Sequence, residues 1–511
     1  MGIIRAQSVR STMLIYLAML IGLINLVLLM PQFFTKEQIG MTRTILTLSL
    51  LLSQFSEMGA SGITYRFFPF YKKQNAGDLL FILLLITALG FTVVGGISYY
   101  FRDFIFQGFY TECPALKEFE HLIFLATFFT LYNGLGSYYC AVHLKTVVPR
   151  AINELVPRIG NTVLIILFAA GWIDFSTYFT LFTALLICMV VLIWAYIIYL
   201  KKLQLSFKIS PVTRRIYKKM LIFGGMGLLG NSLGTLISYI DTLMLGSLSG
   251  QEDVAVFSIG YYLITIMAAP YQAIIAVVSP LLAKAIRHKE WSMVLEYYQK
   301  TSTNHFIIGS FIFGGILICF SDFIRLLPPA QGYEASFSII LFFGVGKLLD
   351  MISGCNAEII AYSKYYKFNF YLQLFVALIC IVTNYYFISE YGLNGAAISG
   401  LICLIIYNLA RYFYVKIKMN MHPFSKSTIK SILVFALALT ISWLIGYFIK
   451  INIDGHTYYS IGLNLFIKSG IWSILFMSLL YFIKPSEDIR LFFEVIKGKF
   501  VKTPSPNSNL S

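Results

Sequence analysis

The chain has 511 residues, of which 58% are hydrophobic, 16% aromatic and only 12% charged, with a formal net charge of +16. So little polar surface excludes a soluble globule of this length. The expected class is an all-α integral membrane protein, because apolar runs of about 20 residues, enough to cross a hydrocarbon core of about 30 Å, recur almost from end to end; a transmembrane β-barrel would need short alternating segments instead.

In chain order the runs predict about fourteen spans. Six of them, 11–34, 40–64, 79–101, 121–143, 151–172 and 178–200, precede the longest connection, 201–218. Six more follow at 219–246, 254–283, 304–327, 336–360, 368–389 and 394–416, and two stand beyond, at 429–449 and 462–483. The first run follows Arg5 and Arg10, but it is too long for the core of a signal peptide and lacks a small-x-small cleavage site, so it reads as a retained span. Of the seven cysteines, six fall in or beside spans and Cys113 lies alone in a hydrophilic loop. No disulfide framework or metal spacing is visible.

With both termini in the cytoplasm, roughly 29 of the 39 Lys and Arg fall on the cytoplasmic side, as the positive-inside rule requires. The positive net charge therefore implies anionic lipid headgroups as neighbours and no nucleic acid. The loops are short, and no folded element is expected outside the membrane.

The two sets of six spans echo one another. The turn "FFTKEQIGMTR" aligns with "SLSGQEDVAVFS", placing Glu37 over Glu252, Ile39 over Val254 and Gly40 over Ala255. A parallel repeat of this kind is typical of secondary transporters. It divides the chain into an N-lobe at 1–203, a C-lobe at 204–420, two extra helices at 421–484 and a cytoplasmic tail at 485–511.

Four stretches carry a family resemblance. "YIDTLMLGSLSGQEDVAVFSIGYYL" (239–263), "SEYGLNGAAISG" (389–400), "SQFSEMGASGITYRFF" (53–68) and "LLPPAQGYEAS" (326–336) resemble, in that order, the seventh and eighth helices, the turn into the twelfth, the end of the second and the loop before the tenth helix of Wzx-like polysaccharide flippases. These belong to the multidrug, oligosaccharidyl-lipid and polysaccharide exporter superfamily, and the resemblance extends over residues 1–420. Two features depart from it: Gly400 stands where many relatives have Thr, and fourteen spans in place of twelve are similar to the lipid II flippase branch.

The resemblance implies two six-helix lobes in a V around a central cavity. Its activity is passage of an undecaprenyl-diphosphate-linked oligosaccharide, such as an O-antigen, capsule or exopolysaccharide unit, from the cytoplasmic to the periplasmic leaflet of the bacterial inner membrane. Alternating access suffices for that, with no enzyme chemistry and no cofactor beyond Na+ or H+ as a coupling ion. The expected partners are the lipid-linked substrate, membrane lipids and other polysaccharide-assembly proteins.

A charge near the bilayer centre costs on the order of 2.5–3.5 kcal/mol on insertion scales, so each ionisable residue in a span needs a reason. Asp241 has two readings: a carboxylate near the interface bonded to a Tyr or a backbone N–H, or a cation or proton site. By position in the lipid II flippase branch its co-ligands would be Thr383, Asn384 and Ser399; in the multidrug branch its partner would be Asp350. Lys347 and Asp350, three residues apart on one helix face, read as a self-neutralising pair or as an ammonium awaiting the diphosphate of the carrier. Arg43, Arg66, Arg158 and Arg411 read as interfacial snorkelling side chains or, together, as the basic cavity an anionic carrier needs. Glu57 and Glu358 read as partners for such arginines or as a gate at the inner mouth. Tyr239, Tyr261 and Tyr262 read as an interfacial belt or as stacking faces for sugar.

Two rival functions are open at this level. A cation-coupled multidrug exporter of the same superfamily would want an acidic or aromatic cavity. A membrane enzyme of glycan assembly would want a large outer loop or a buried His, and all six histidines, His305 among them, are expected at span ends or in loops; no Walker A or Gly-x-Ser-x-Gly pattern is present.

Overall fold

The computed structural model describes residues 2–73, 77–328, 332–448 and 457–496, and among these it is helical with no β-strand. The tail beyond residue 496 and the loop tips at 329–331 and 449–456 lie outside the described residues. The helices are α1 (Gly2–Leu23), α2 (Lys36–Ser56), α3 (Ala60–Lys73), α4 (Asp78–Tyr100), α5 (Arg102–Glu112), α6 (Glu120–Val142), α7 (Val147–Ala169), α8 (Phe175–Tyr199) and α9 (Pro211–Leu248). They continue as α10 (Gln251–Thr265), α11 (Ala268–Arg287), α12 (Trp291–Ile324), α13 (Ser336–Ile352), α14 (Asn356–Tyr362), α15 (Lys367–Met419), α16 (Lys426–Phe448), α17 (Thr457–Ile483) and α18 (Glu487–Ile496).

Local chemistry sets many of the ends. Thr35 caps α2 in a reciprocal box with Gln38, the hydroxyl accepting from the Gln38 N–H at 3.3 Å and the amide oxygen accepting from the Thr35 N–H at 3.1 Å. Ser210 caps α9 ahead of Pro211, whose missing N–H is no loss in a first turn. Asp174 caps α8 through the Thr177 N–H at 3.1 Å.

Eleven described helices are long and apolar enough to cross a membrane, so the expected fourteen are not recovered as such. The 53-residue α15 holds both 368–389 and 394–416, bent at Gly392 (φ 52°, ψ −128°). The 40–64 run is broken at Glu57–Met58–Gly59, where Met58 and Gly59 take φ values of 51° and 73°. The 121–143 run is helical as α6, but Tyr, Asn, Gly and Ser dilute its apolar character. The 254–283 run is divided between α10 and α11.

Among the described residues the chain packs as two compact units: those up to Leu263, with Leu327–Phe343 and Asn369–Cys403, form one, and Ile264–Leu326, Gly344–Phe368 and those from Leu404 on form the other. In the first, α9 packs against α2, α3 and α5. Side chains are almost absent at the closest approach: a Cβ on Gly59 would stand 2.1 Å from the Gly224 carbonyl oxygen. The two turns aligned by the repeat meet, with Lys36 Nζ 2.8 Å from Glu252 and the Thr44 hydroxyl donating to Gln251 Oε1 at 2.6 Å. The connection before α9 is held to the start of α4, where Asp78 Oδ2 accepts from the Ser210 N–H at 2.7 Å and the Thr213 hydroxyl at 2.6 Å.

The segment between α4 and α6 corrects one expectation. It is folded, as α5 and a 3-10 turn, and α5 packs on α9. Cys113 is accordingly 1% exposed, with its thiol donating to Glu37 Oε1 at 3.2 Å, because α5 carries Phe106 and Phe109 into the core.

In the second unit α12, α16 and α17 form a three-helix bundle in which each packs on the other two. Trp472 lies flat against bare backbone, since a Cβ on Gly314 would meet its ring at 2.2 Å, and its indole N–H donates to the Phe311 carbonyl at 2.8 Å. One turn away on α17 the Lys468 ammonium binds the Asp322 carboxylate of α12, both buried. No spacing in the sequence signals this pair, because 146 residues separate Lys468 from Asp322.

Candidate functional site

In the first unit, α9 and α15 on both sides of its bend at Gly392 bring polar side chains together. Asn384 donates to Asp241 Oδ1 at 2.6 Å, and the Thr383 hydroxyl is 2.7 Å from that of Ser399. The four residues aligned with the lipid II flippase branch thus lie together in two bonded pairs. Asn384 and Ser399 are fully buried, and Asn384 Oδ1 has no hydrogen-bond partner. A carboxylate, an amide oxygen and two hydroxyls are the donor types a hard cation such as Na+ prefers. Here, however, Asn384 turns its Nδ2 to Asp241 and the two hydroxyls bond each other, so a cation at Asp241, Asn384, Thr383 and Ser399 would require the amide to turn over. Among the described residues no group of three or more His, Cys, Asp and Glu offers a transition-metal site. Gly400, the departure from the family pattern, has a steric cause: a Cβ there would lie 2.2 Å from the Phe343 ring, which packs edge-on to Phe257 and Tyr261. Tyr261 is thereby committed to an aromatic core.

Beside it, α2 and α7 supply a basic, aromatic surrounding. Arg43 shares its electrostatic environment with Arg158, Tyr178, Tyr239 and Tyr262. Arg158 binds Glu154 one turn earlier at 2.6 Å. The Tyr262 hydroxyl donates to the Met19 carbonyl at 3.0 Å, close against α1 at Gly22, where a Cβ would stand 2.2 Å from that hydroxyl and 3.1 Å from Arg158 Nε. Asn25 fixes the other side of the arginine, donating to the Arg158 carbonyl at 2.7 Å.

The remaining residues of the first unit fall elsewhere. Arg66 is exposed on α3, stacked over Phe223 at 4.3 Å. Glu57 has no arginine within ion-pair distance among the described residues; its Oε1 accepts from the Ser61 N–H at 2.7 Å and its Oε2 from Gln54 and Tyr138, at 3.1 and 3.3 Å. It caps α3 across the break in the second span, a role that periodicity alone does not reveal.

The second unit gathers its own set. Lys347 binds Asp350 Oδ2 at 2.6 Å and lies 5.0 Å from the centre of the Tyr271 ring. Asp350 therefore already has a cation. Arg411 is buried, bonded to the Tyr407 hydroxyl and stacked on that ring, with Nε lacking a partner. Glu358, in the first turn of α14, senses Arg411 electrostatically, and its Oε2 is buried without a hydrogen bond. The structure adds His305, 0% exposed, 4.4 Å ring to ring from Tyr271, with neither ring nitrogen hydrogen-bonded. This corrects its expected place at a span end: α12 begins at Trp291, because the polar stretch 291–303 is helical and its Val294, Tyr298 and Thr301 pack inward.

No family model matches the chain, and no curated protein matches it in sequence. Solved structures do match in fold. The lipid II flippase MurJ, in an inward closed conformation, is similar with a TM-score of 0.70 at 17% identity over 92% of this chain and 99% of that one. An inward-facing multidrug resistance MATE family transporter of the MOP superfamily follows at 0.63 and 15%, over 80% and 96%. A MOP superfamily transporter from Pyrococcus furiosus gives 0.53 and 14%, over 81% and 95%. The fold of this chain is the all-helical one shared by a lipid II flippase and multidrug transporters of the MOP superfamily.

Proposed function

We propose that the chain translocates an undecaprenyl-diphosphate-linked oligosaccharide, a repeat unit of O-antigen, capsule or exopolysaccharide, across the bacterial inner membrane by alternating access. The observation that carries this reading is the gathering, in the first unit, of Arg43 on α2 and Arg158 on α7 with Tyr178, Tyr239 and Tyr262, where Arg158 and Tyr262 meet at Gly22 of α1. Guanidinium groups bind phosphate oxygens in bidentate fashion, and phenol rings offer an apolar face and a hydroxyl to a sugar. Glu154 offsets one of the two positive charges and leaves the other for the ligand. The full-length likeness to a lipid II flippase supports a lipid-linked substrate.

In this reading 1–203 and 204–420 act as lobes, 421–484 stand outside the repeat and both termini face the cytoplasm. A cation at Asp241 with Asn384, Thr383 and Ser399 biases the access state. The buried His305 is a feature a membrane enzyme of glycan assembly would want, and the fold shared with a lipid II flippase and multidrug transporters favours transport over it. The second reading is a cation-coupled exporter, which the fold shared with multidrug resistance transporters supports; Asp350 would serve it only when released from Lys347.

A deletion strain separates the two. Lipid-linked oligosaccharide is expected to accumulate on the cytoplasmic leaflet and to be released by the intact gene but not by Arg43→Gln/Arg158→Gln. Normal glycan export together with sensitivity to cationic drugs would replace the flippase reading by the exporter.

A further inference from the structure

We propose that a basic pocket in the second unit binds the phosphodiester headgroup of an anionic phospholipid, one with two phosphates such as a diphosphatidylglycerol. The pocket has a volume of about 960 Å³ and contains none of the site residues named so far. Four cations from three segments line it: Arg287 ends α11 and Lys289 follows it, Lys364 lies in the turn before α15, and Lys418 is in the last turn of α15. Bringing like charges together is unfavourable unless an anion joins them.

Helix dipoles account for part of this set, since Arg287 and Lys418 occupy last turns, where cations are favoured. The same holds for Lys289, which follows the C-cap His288 of α11, but not for Lys364, which lies in the turn between α14 and α15. No acidic residue lines the pocket, and none of the four cations is in an ion pair among the described residues. Their charge is therefore available to a ligand.

Two further observations select a lipid over a soluble anion. All the lining segments are ends of candidate spans or the turns between them, and Trp291 and Tyr362, each 44% exposed, mark the headgroup level. The floor is apolar, formed by Ile286 and Met421 of a buried hydrophobic cluster, and it suits the glycerol and first methylenes of an acyl chain. Basic pockets between membrane helices recognise such headgroups through charge at this level.

The test uses the full-length protein in detergent, with native mass spectrometry and added diphosphatidylglycerol or phosphatidylcholine as probes. The intact protein is expected to retain the anionic lipid under activation that strips phosphatidylcholine. Lys289→Gln/Lys364→Gln is expected to lower its affinity about 30-fold, each Lys near a membrane surface being worth roughly fivefold. Lys300→Gln, which removes an exposed cation paired with Glu296 outside the pocket, serves as the control and leaves binding unchanged. Equal loss in the control, or no loss in the double variant, overturns the site. Competition by inorganic phosphate in millimolar amounts overturns the lipid assignment in favour of a small-anion site.

Discussion

Breaking the Lys468–Asp322 pair should loosen α17 from α12 unequally, depending on which partner is removed. The Lys468 and Asp322 side chains are 8% and 5% exposed, so either one left alone is a buried charge, a loss of about 3–5 kcal/mol. Asp322 has a second cation, with Arg325 Nη1 4.0 Å from Oδ1, but that guanidinium side chain is 66% exposed and solvent screens it. Lys468→Met is therefore expected to lose about 2–3 kcal/mol, because Arg325 swings in to share the remaining carboxylate. Asp322→Leu leaves an ammonium with no other carboxylate beside it and falls at about 4–5 kcal/mol. The double variant returns to within about 1 kcal/mol of the parent, since an apolar pair of similar volume avoids the desolvation of both ions. Thermal midpoints from fluorescence-detected size-exclusion chromatography in detergent, taken as a double-mutant cycle, read the coupling directly. If the two single losses simply add in the double variant, or neither exceeds that of Lys300→Met, the pair does not hold α17 and the reasoning fails.

Asp241→Asn should abolish translocation while membrane insertion and thermal midpoint stay at the parent level; transport at the normal rate would remove Asp241 from the coupling site. Gly40→Ala should destabilise by about 1–3 kcal/mol, because the new Cβ would lie 1.9 Å from the Gln251 carbonyl oxygen, and an unchanged midpoint would show that α2 and α10 do not meet there. Burial and the Glu37 hydrogen bond push the Cys113 thiol up to about 11, so iodoacetamide at pH 7.5 should leave it unmodified in the folded protein; rapid labelling would mean that α5 is not packed. The Thr177 side chain and N–H hold the exposed Asp174 carboxylate below its ordinary value of 3.8. Its capping is thus complete above that value and is lost as pH falls through the depressed one. Amide exchange in the first turn of α8 should accelerate there, and not in Asp174→Asn.

Much of the fold was legible because hydrophobic runs need no partner to be recognised, and so were some local breaks. "YGLNGAA" places Gly392 where α15 bends and Gly395 where a Cβ would lie 1.9 Å from the Phe387 carbonyl oxygen. Asp241 and Asn384 could be matched only through the family resemblance, since 143 residues separate them. Features set by tertiary contact were not legible. Lys468 meets Asp322 across 146 residues, and Glu57 looks like a free carboxylate until Ser61 turns under it. His305 was misplaced because an apolar count begins a span where hydropathy rises, whereas α12 begins at Trp291 with polar residues.

The bare meeting of α3 and α9 has a mechanical consequence. Helices that pack through large side chains interlock like teeth and resist motion along their length. At Gly59, Gly224 and Gly227 there are no teeth: backbone faces backbone, and a Cβ on Gly227 would stand 3.9 Å from the Gly59 Cα. Only the crossing point is bare: further along the same pair Phe67 packs edge-on to Phe223 and the Tyr71 hydroxyl bonds that of Thr213, so the two helices are locked against sliding and Gly59 with Gly224 forms a close pivot between them. One added methyl at Gly224, which would lie 2.8 Å from the Ile63 side chain, would wedge that pivot open.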